Sequence, residues 1–176
     1  MKEITHYVFS TGASLYALSV LGLLTWPAGA ASVWLSISVN YVIDLLGHSN
    51  RGHPSRTRLT HSVLTAPFWG ASISFVSVVI FAWLTSSKTE VQTVMLWAVA
   101  GALVAMGHLF LDSLTQAGVY YWKHRMAIAH FRYDNPALNG SFALFGLGLI
   151  ILAVVPGALI ERTIALSLLE SLAAGP

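Results

Sequence analysis

The sequence has little charge and no cysteine. Of its 176 residues, 56% are hydrophobic and only 9% are Asp, Glu, Lys or Arg, whereas a typical soluble domain has about 25% charged residues. This low charged fraction excludes a conventional soluble enzyme and a disordered tail. The absence of cysteine excludes disulfides, thiolate metal ligands and a cysteine nucleophile. A formal net charge of +2 is too small for a coat on nucleic acid, so no nucleic-acid partner is expected.

Long uncharged stretches predict helices that span a membrane. They cover residues 4–43, 59–87, 91–111 and 141–160. The first is long enough for two spans of about 20 residues each, and the turn Trp-Pro-Ala-Gly at residues 26–29 divides them. A cleaved signal peptide is the alternative for the first span. We therefore predict an all-α membrane bundle in one domain, 1–176, with a short C-terminal interfacial helix after five spans at about residues 4–25, 29–46, 61–84, 92–113 and 141–160.

The basic residues predict which side of the membrane each connection faces. With five spans, the N-terminus and the connections at residues 47–60 and 115–140 share one side. That side carries seven of the nine Lys and Arg residues, namely Lys2, Arg51, Arg56, Arg58, Lys123, Arg125 and Arg132. Because cytoplasmic loops are enriched in basic residues, we expect an integral protein of the cell membrane with a cytoplasmic N-terminus and an external C-terminus.

Six histidine and aspartate residues stand at the predicted cytoplasmic ends of four helices. Ionisable groups in membrane helices are costly, so they are candidates for function. Four of the six form two pairs spaced by four residues, which places both members of a pair on one helix face. Imidazole with carboxylate is a ligand set favoured by zinc and also accepted by manganese or iron. We therefore predict a site at the cytoplasmic face for one or two divalent ions, with the ligands His6, Asp44, His48, His61, His108 and Asp112.

Each predicted ligand also has an interpretation without a metal. His6 could be a helix cap or an interfacial residue, and Asp44 could pair with His48 or with Arg51. An unpaired carboxylate in the apolar helix that holds His108 and Asp112 would be expensive, which favours a metal there. Three further histidines lie in polar loops among basic residues and are expected to be solvated: His53, His124 and His130.

The connection between the second and third spans predicts how an anionic substrate would bind. Arg51, Arg56 and Arg58 could hold a phosphate through charge-assisted hydrogen bonds. Thr60 and Ser62 could donate further hydrogen bonds to the same group. The alternative is that these arginines bind anionic lipid headgroups and fix the orientation of the chain without taking part in any chemistry.

Together these motifs resemble the predicted inner-membrane metal-dependent hydrolases of bacteria and archaea. Besides His6, the strings are Asp-Leu-Leu-Gly-His at 44–48, Arg-Thr-Arg-Leu-Thr-His-Ser at 56–62, and Gly-His-Leu-Phe-Leu-Asp-Ser-Leu-Thr at 107–115 followed by Gly118. The resemblance covers about residues 5–140 and is greatest to the archaeal variant. Bacterial members carry Pro-Asp-x-Asp-His in the second helix, so one carboxylate is missing here or is replaced by His48. The family is grouped distantly with zinc-dependent phospholipase C and zinc-dependent single-strand nucleases.

The resemblance and the ligand pattern imply a hydrolase. A metal with open coordination positions activates water near neutral pH and polarises a phosphoryl or acyl oxygen, and Asp44 or Asp112 could accept a proton from that water. A site at headgroup depth favours a membrane lipid with a phosphate as the substrate. The alternatives are a structural metal site in a scaffold or partner-binding protein, and a metal-ion carrier, which the absence of ionisable groups at mid-membrane disfavours. A further alternative is that the chain forms a homo-oligomer.

Overall fold

Five helices carry the fold of the described residues. The structure of the protein is a computed structural model that describes residues 1–49 and 55–173, with side chains for residues 1–48 and 56–155. The helices are α1 (Glu3–Val20), α2 (Trp26–Gly47), α3 (Ala66–Leu84), α4 (Val91–Ser113) and α5 (Pro136–Ala173). Two small antiparallel sheets connect them, β1 (His48–Ser49) with β2 (Ser55–Arg56) and β3 (Val119–Tyr121) with β4 (His124–Met126). The predicted helical architecture is confirmed, and the two sheets were not predicted.

Four of these helices are long and apolar enough to cross a membrane. The qualifying segments are Trp26–Gly47, Ala66–Thr85, Val91–Ser113 and Pro136–Val155. Within the described part of the chain α1 is not one of them, since its 18 residues include Glu3, His6 and several small polar side chains. A protein with several helices that could span a membrane is therefore confirmed, while α1 as a fifth span stays a prediction.

Two helices begin or end away from their predicted limits. The third was expected from residue 61, but α3 begins at Ala66 with a proline in its first turn, because residues 59–65 form turns. The fifth begins at Pro136, whose fixed φ suits a first helical position, and the side chain of Asn135 caps it by accepting a hydrogen bond from Leu138 N at 3.0 Å. It then runs without interruption to Ala173 instead of ending near residue 160 before a separate short helix.

Glycines let two pairs of helices approach closely. A Cβ atom on Gly12 of α1 would overlap the carbonyl of Gly146 in α5, and a Cβ atom on Gly70 of α3 would overlap the carbonyl of Gly101 in α4. Small residues at such crossings are common in membrane helices, where packing and not the hydrophobic effect holds helices together. The apolar core lies where α2, α3 and α4 meet, and it ends directly beside the predicted ligands.

Candidate metal centre

Four side chains converge at one end of the helix bundle. Asp44 comes from the last turn of α2, His61 from the turns before α3, and His108 and Asp112 from the last turns of α4. Each offers one ligand atom, and the four atoms lie within 4.8 Å of one another. Both histidines and Asp112 are buried, whereas the Asp44 side chain is 14% exposed. This group could hold a metal ion.

The distances among the four atoms match the dimensions of a coordinated ion. His61 Nε2 lies 3.4 Å from Asp44 Oδ1 and 3.5 Å from Asp112 Oδ2. His108 Nε2 lies 3.4 Å and 3.2 Å from the same two oxygens, and the two nitrogens are 3.4 Å apart. Zinc bonds of 2.0–2.1 Å imply edges of about 3.3–3.4 Å in a tetrahedron, whereas N–H···O hydrogen bonds are about 2.9 Å. The five distances therefore fit a metal better than direct hydrogen bonds.

Hydrogen bonds at Nδ1 turn both imidazoles toward the group. The Oδ1 atom of Asn40 lies 2.8 Å from His108 Nδ1, and the amide of Asn40 donates to Ser10 Oγ at 3.1 Å on its other side. Because the amide nitrogen is occupied there, Oδ1 accepts the proton of His108 Nδ1. This pairing directs His108 Nε2 at the two carboxylates, the orientation that a metal ligand requires.

The ring of His61 is fixed in the same way by its neighbour. The hydroxyl of Thr60 donates to the carbonyl of Ile43 at 2.8 Å, so its oxygen is free to accept from His61 Nδ1, 3.1 Å away. The glycine at position 47 makes room for this arrangement, because a Cβ atom there would overlap the His61 ring and the Thr60 hydroxyl. Both histidines thus direct Nε2 toward the two carboxylates, the orientation that metal ligands require.

The two oxygens of the Asp112 carboxylate have different contacts. Its Oδ1 atom accepts from Arg56 Nη2 at 2.6 Å and from the amino group of Met1 at 2.7 Å. His6 Nε2 also lies 3.2 Å from this oxygen. Its Oδ2 atom is buried and has no hydrogen-bond partner among the described residues. A buried acceptor without a partner is expensive, and a bound cation would compensate Oδ2.

Two of the six predicted ligands lie beside the four-atom group. His6 is buried and stacked on His108, with 4.1 Å between ring centroids, and its Nε2 atom faces the oxygen of Asp112 that points away from the group. His48 is 41% exposed, and its Nε2 atom is 3.8 Å from Asp44 Oδ1. Partial burial lowers the pKa of His48, because lost hydration penalises the imidazolium. His48 therefore stands on the accessible side of Asp44.

The structure gives the predicted substrate-binding residues different surroundings. The Arg56 side chain is only 7% exposed and is bonded within the protein, and Thr60 and Ser62 are buried. Arg58 is exposed. Arg51 lies outside the described residues, as does His53, while His124 and His130 are exposed as expected.

A β-hairpin supports the segment that carries His61. Tyr120 of β3 donates its N–H to the carbonyl of His61 at 2.8 Å and accepts from Val63 N at 3.0 Å. The ring of Tyr120 also lies under the guanidinium of Arg58, 5.6 Å from centroid to carbon. The hairpin therefore holds the His61 segment against the ends of α2 and α4.

Sequence reasoning missed Asn40 and the structural role of Gly47. Asn40 precedes Asp44 by four residues in the same uncharged stretch. That spacing places it on the face of α2 that carries Asp44, so the signal was present. The role of Gly47 depends on where the His61 segment folds back, which helix periodicity does not reveal.

Comparison with known proteins yields one family. The family model described as "Protein of unknown function (DUF1286)" matches residues 1–111, and the chain belongs to this family. The matched range contains three of the four converging residues, Asp44, His61 and His108, and it ends directly before Asp112. No curated protein and no solved structure matches the chain.

Proposed function

We propose that the protein is a membrane-embedded, metal-dependent hydrolase that acts on a phosphoester or lipid headgroup at the cytoplasmic face. One observation supports this above all. Two imidazole nitrogens and two carboxylate oxygens, held by three separate segments, converge at nitrogen–oxygen spacings of 3.2–3.5 Å. Their convergence at the end of the bundle that also carries Arg56 and Arg58 agrees with the cytoplasmic face expected from the basic residues. The resemblance to predicted inner-membrane hydrolases favours the same activity.

Zinc is the ion that we infer for this site. Imidazole nitrogen and carboxylate oxygen are both common zinc ligands, and the four nitrogen–oxygen distances and the one nitrogen–nitrogen distance agree with its bond lengths. Manganese and iron are the alternatives that the same donor atoms accept. Asp44, His61, His108 and Asp112 would hold the ion, with Asn40 and Thr60 orienting the two imidazoles.

The accessible side of the site lies at Asp44 and His48. A divalent metal held by the four ligands would act as a Lewis acid that activates water near neutral pH and polarises a phosphoryl oxygen. Asp44 is better placed than Asp112 to accept a proton from water, because it is partly exposed whereas Asp112 is buried and its Oδ1 already accepts hydrogen bonds. Arg58, exposed on the segment before His61, is available to an anionic headgroup.

A structural metal site is the second candidate function, and the number of ligands favours it. Four protein ligands would fill the shell of a tetrahedral ion, as is typical of structural zinc, whereas catalytic zinc usually has three protein ligands and an open position. The partial exposure of Asp44 favours the hydrolase, because a carboxylate at an accessible edge leaves room for the shell to expand toward substrate.

Metal analysis combined with a turnover assay separates these candidates. Purified wild-type protein is compared with Asp112→Ala and His61→Ala, each assayed for bound metal and for hydrolysis of a labelled lipid extract. We expect metal and turnover in the wild type and the loss of both in the two variants. Asp134→Ala, at an exposed carboxylate paired with Arg132, is the matched control. Retained metal in both variants would reject the ligand assignment, and bound metal without turnover would favour the structural site.

The proposed orientation has its own test, because the chain contains no cysteine. A single cysteine is introduced as Lys123→Cys in the turn of the β3–β4 hairpin, or as Lys88→Cys in the connection between α3 and α4. In intact cells a membrane-impermeant thiol reagent should label the second variant and spare the first. The reverse pattern would place the site outside the cell.

A further inference from the structure

Arg56 makes contacts that its predicted role, to hold the phosphate of a substrate, does not explain. Its Nη2 atom donates to Asp112 Oδ1 at 2.6 Å. Its Nη1 atom is directed at the end of α4 and donates to the carbonyl of Gly118 at 2.8 Å and to Thr115 Oγ1 at 3.2 Å. A longer contact of 3.3 Å joins the same nitrogen to the carbonyl of Asp112 itself. One guanidinium therefore holds both the carboxylate and the backbone of the residue that carries it.

These contacts determine which oxygen of Asp112 faces the metal site. The guanidinium pairs with Oδ1. Within the part of the chain that the structure describes, Oδ2 is buried without a hydrogen bond, 3.2 Å from His108 Nε2 and 3.5 Å from His61 Nε2. If the carboxylate rotated to present Oδ1 instead, it would lose its charge-assisted hydrogen bonds to Arg56 and to the amino group of Met1, the stronger kind of hydrogen bond. Arg56 thus keeps Asp112 in a monodentate pose toward the site.

The position of the guanidinium also bears on the number of ions. In two-metal sites the ions lie about 3.5–4 Å apart, close enough for one carboxylate to contribute an oxygen to each. Here the second oxygen of Asp112 is already paired with a fixed positive charge. A second divalent cation at Oδ1 would have to displace the Arg56 guanidinium or lie against it, and the repulsion between like charges is large in a buried site.

We propose that Arg56 is a positioning residue that takes the place of a second cation at Asp112, so that the site holds a single ion. This inference rests on the metal site of the proposed function and does not depend on the reaction. A substrate clamp needs a guanidinium that reaches solvent, but the Arg56 side chain is only 7% exposed and both terminal nitrogens are bonded within the protein.

The test measures metal stoichiometry and affinity on the purified full-length chain. Wild type is compared with Arg56→Met, which keeps a long side chain without the charge, and with Arg56→Lys, which keeps the charge but not the two-pronged geometry. Arg58→Met is the matched control, since it removes an exposed arginine two residues away. Zinc affinity is measured by competition with a chelator, and helical content is recorded for every variant.

We expect one zinc ion per wild-type chain. Arg56→Met should bind zinc about 10–100-fold more weakly, the usual effect of removing a group that orients a ligand, Arg56→Lys should fall between the two, and Arg58→Met should match the wild type. The visible spectrum of the cobalt-substituted protein should change in Arg56→Met, because the coordination of the ion changes, and stay the same in Arg58→Met.

Several outcomes would overturn the proposal. Two ions per wild-type chain would contradict the single site. Unchanged zinc affinity in Arg56→Met, together with a raised KM for lipid substrate, would indicate that Arg56 binds substrate instead. If Arg56→Met does not fold, the comparison of Arg56→Lys with Arg58→Met decides, and equal affinities there would also reject the role. A wild type that binds one ion and hydrolyses no substrate would refute the proposed hydrolase activity and leave the proposed role of Arg56 intact.

Discussion

The two ends of the helix bundle are built in opposite ways. The site end, defined by Asp44, His61, His108 and Asp112, buries charged and polar side chains, and of the four only Asp44 is partly exposed. The opposite end, defined by Trp26, Trp83 and Val91, exposes large apolar side chains, with Trp26 92% and Trp83 78% accessible. One end is thus organised by specific polar contacts within the protein, and the other presents a surface suited to lipid and its interface.

The contrast shows where a membrane protein can use its few charges. Burying an ion costs several kcal/mol unless a partner and further hydrogen bonds compensate it. At the site end Asp112 has that compensation from Arg56 on one oxygen, and we propose that a metal supplies it on the other. A polar end held together in this way should be sensitive to single-atom changes, whereas the lipid-facing end should tolerate them.

Asp112→Asn should have the largest effect. It removes the carboxylate that serves both the ion and Arg56, and it leaves a buried guanidinium without its anion, which costs about 3–5 kcal/mol of stability. We expect loss of bound metal and a large fall in Tm in detergent. The control Asp134→Asn removes an exposed carboxylate and should change stability by less than about 0.5 kcal/mol. A variant Asp112→Asn that keeps its metal would contradict the account.

Gly47→Ala should come next. Its added methyl group would overlap the His61 ring and the Thr60 hydroxyl, so the ring must move away from the other three ligands. We expect zinc affinity to fall by about 100-fold, at the upper end for changes that disturb ligand orientation. Gly148→Ala on α5 is the control, because a Cβ atom there meets nothing within 4 Å. Equal zinc affinity in the two variants would show that His61 is not held as described.

Asn40→Leu should weaken zinc binding by about tenfold. Leucine has a similar size but cannot accept the hydrogen bond from His108 Nδ1, so the ring loses the partner that fixes its tautomer. The measurement is the same chelator competition, with Ser38→Ala as the control on the same helix, since the Ser38 hydroxyl donates to the carbonyl of Leu35. Wild-type zinc affinity in Asn40→Leu would show that Asn40 does not orient His108 for metal binding.

Trp83→Leu, at the opposite end, should have the smallest effect. The indole is exposed, so its replacement by another apolar side chain leaves the contacts of the four ligands untouched. We expect unchanged metal content and zinc affinity within error, and a small change in Tm. A loss of metal in this variant would mean that the two ends are coupled, against the separation described above.

The sequence predicted the helices and the residues that converge better than it predicted the contacts among them. Uncharged runs and the four-residue spacing identified Asp44, His108 and Asp112, because both signals are local to one helix. The turns that begin at residue 59 and the β3–β4 hairpin were not predicted, because they depend on pairing between distant segments. The sequence also grouped His6 and His48 with the other ligands, since charge patterns report which end of a helix a residue occupies and not which atom it faces.

Arg56 shows that the role of a residue, like its contacts, is hard to predict from the sequence. In the sequence it looks like Arg58, a basic residue near a predicted cytoplasmic helix end. The two differ in the structure because the short β1–β2 pairing, with His48 opposite Arg56, turns Arg56 inward to the end of α4, while Arg58 remains exposed. Only the tertiary fold separates a guanidinium that holds a ligand from one that is open to solvent.

The most direct test of the central claim is metal analysis of the purified wild-type protein combined with X-ray absorption at the metal edge. We predict one divalent ion per chain, with two imidazoles and carboxylate oxygens at about 2.0–2.1 Å if the ion is zinc. A purified, folded protein that binds no divalent ion, or one whose ion has no imidazole ligand, would contradict it.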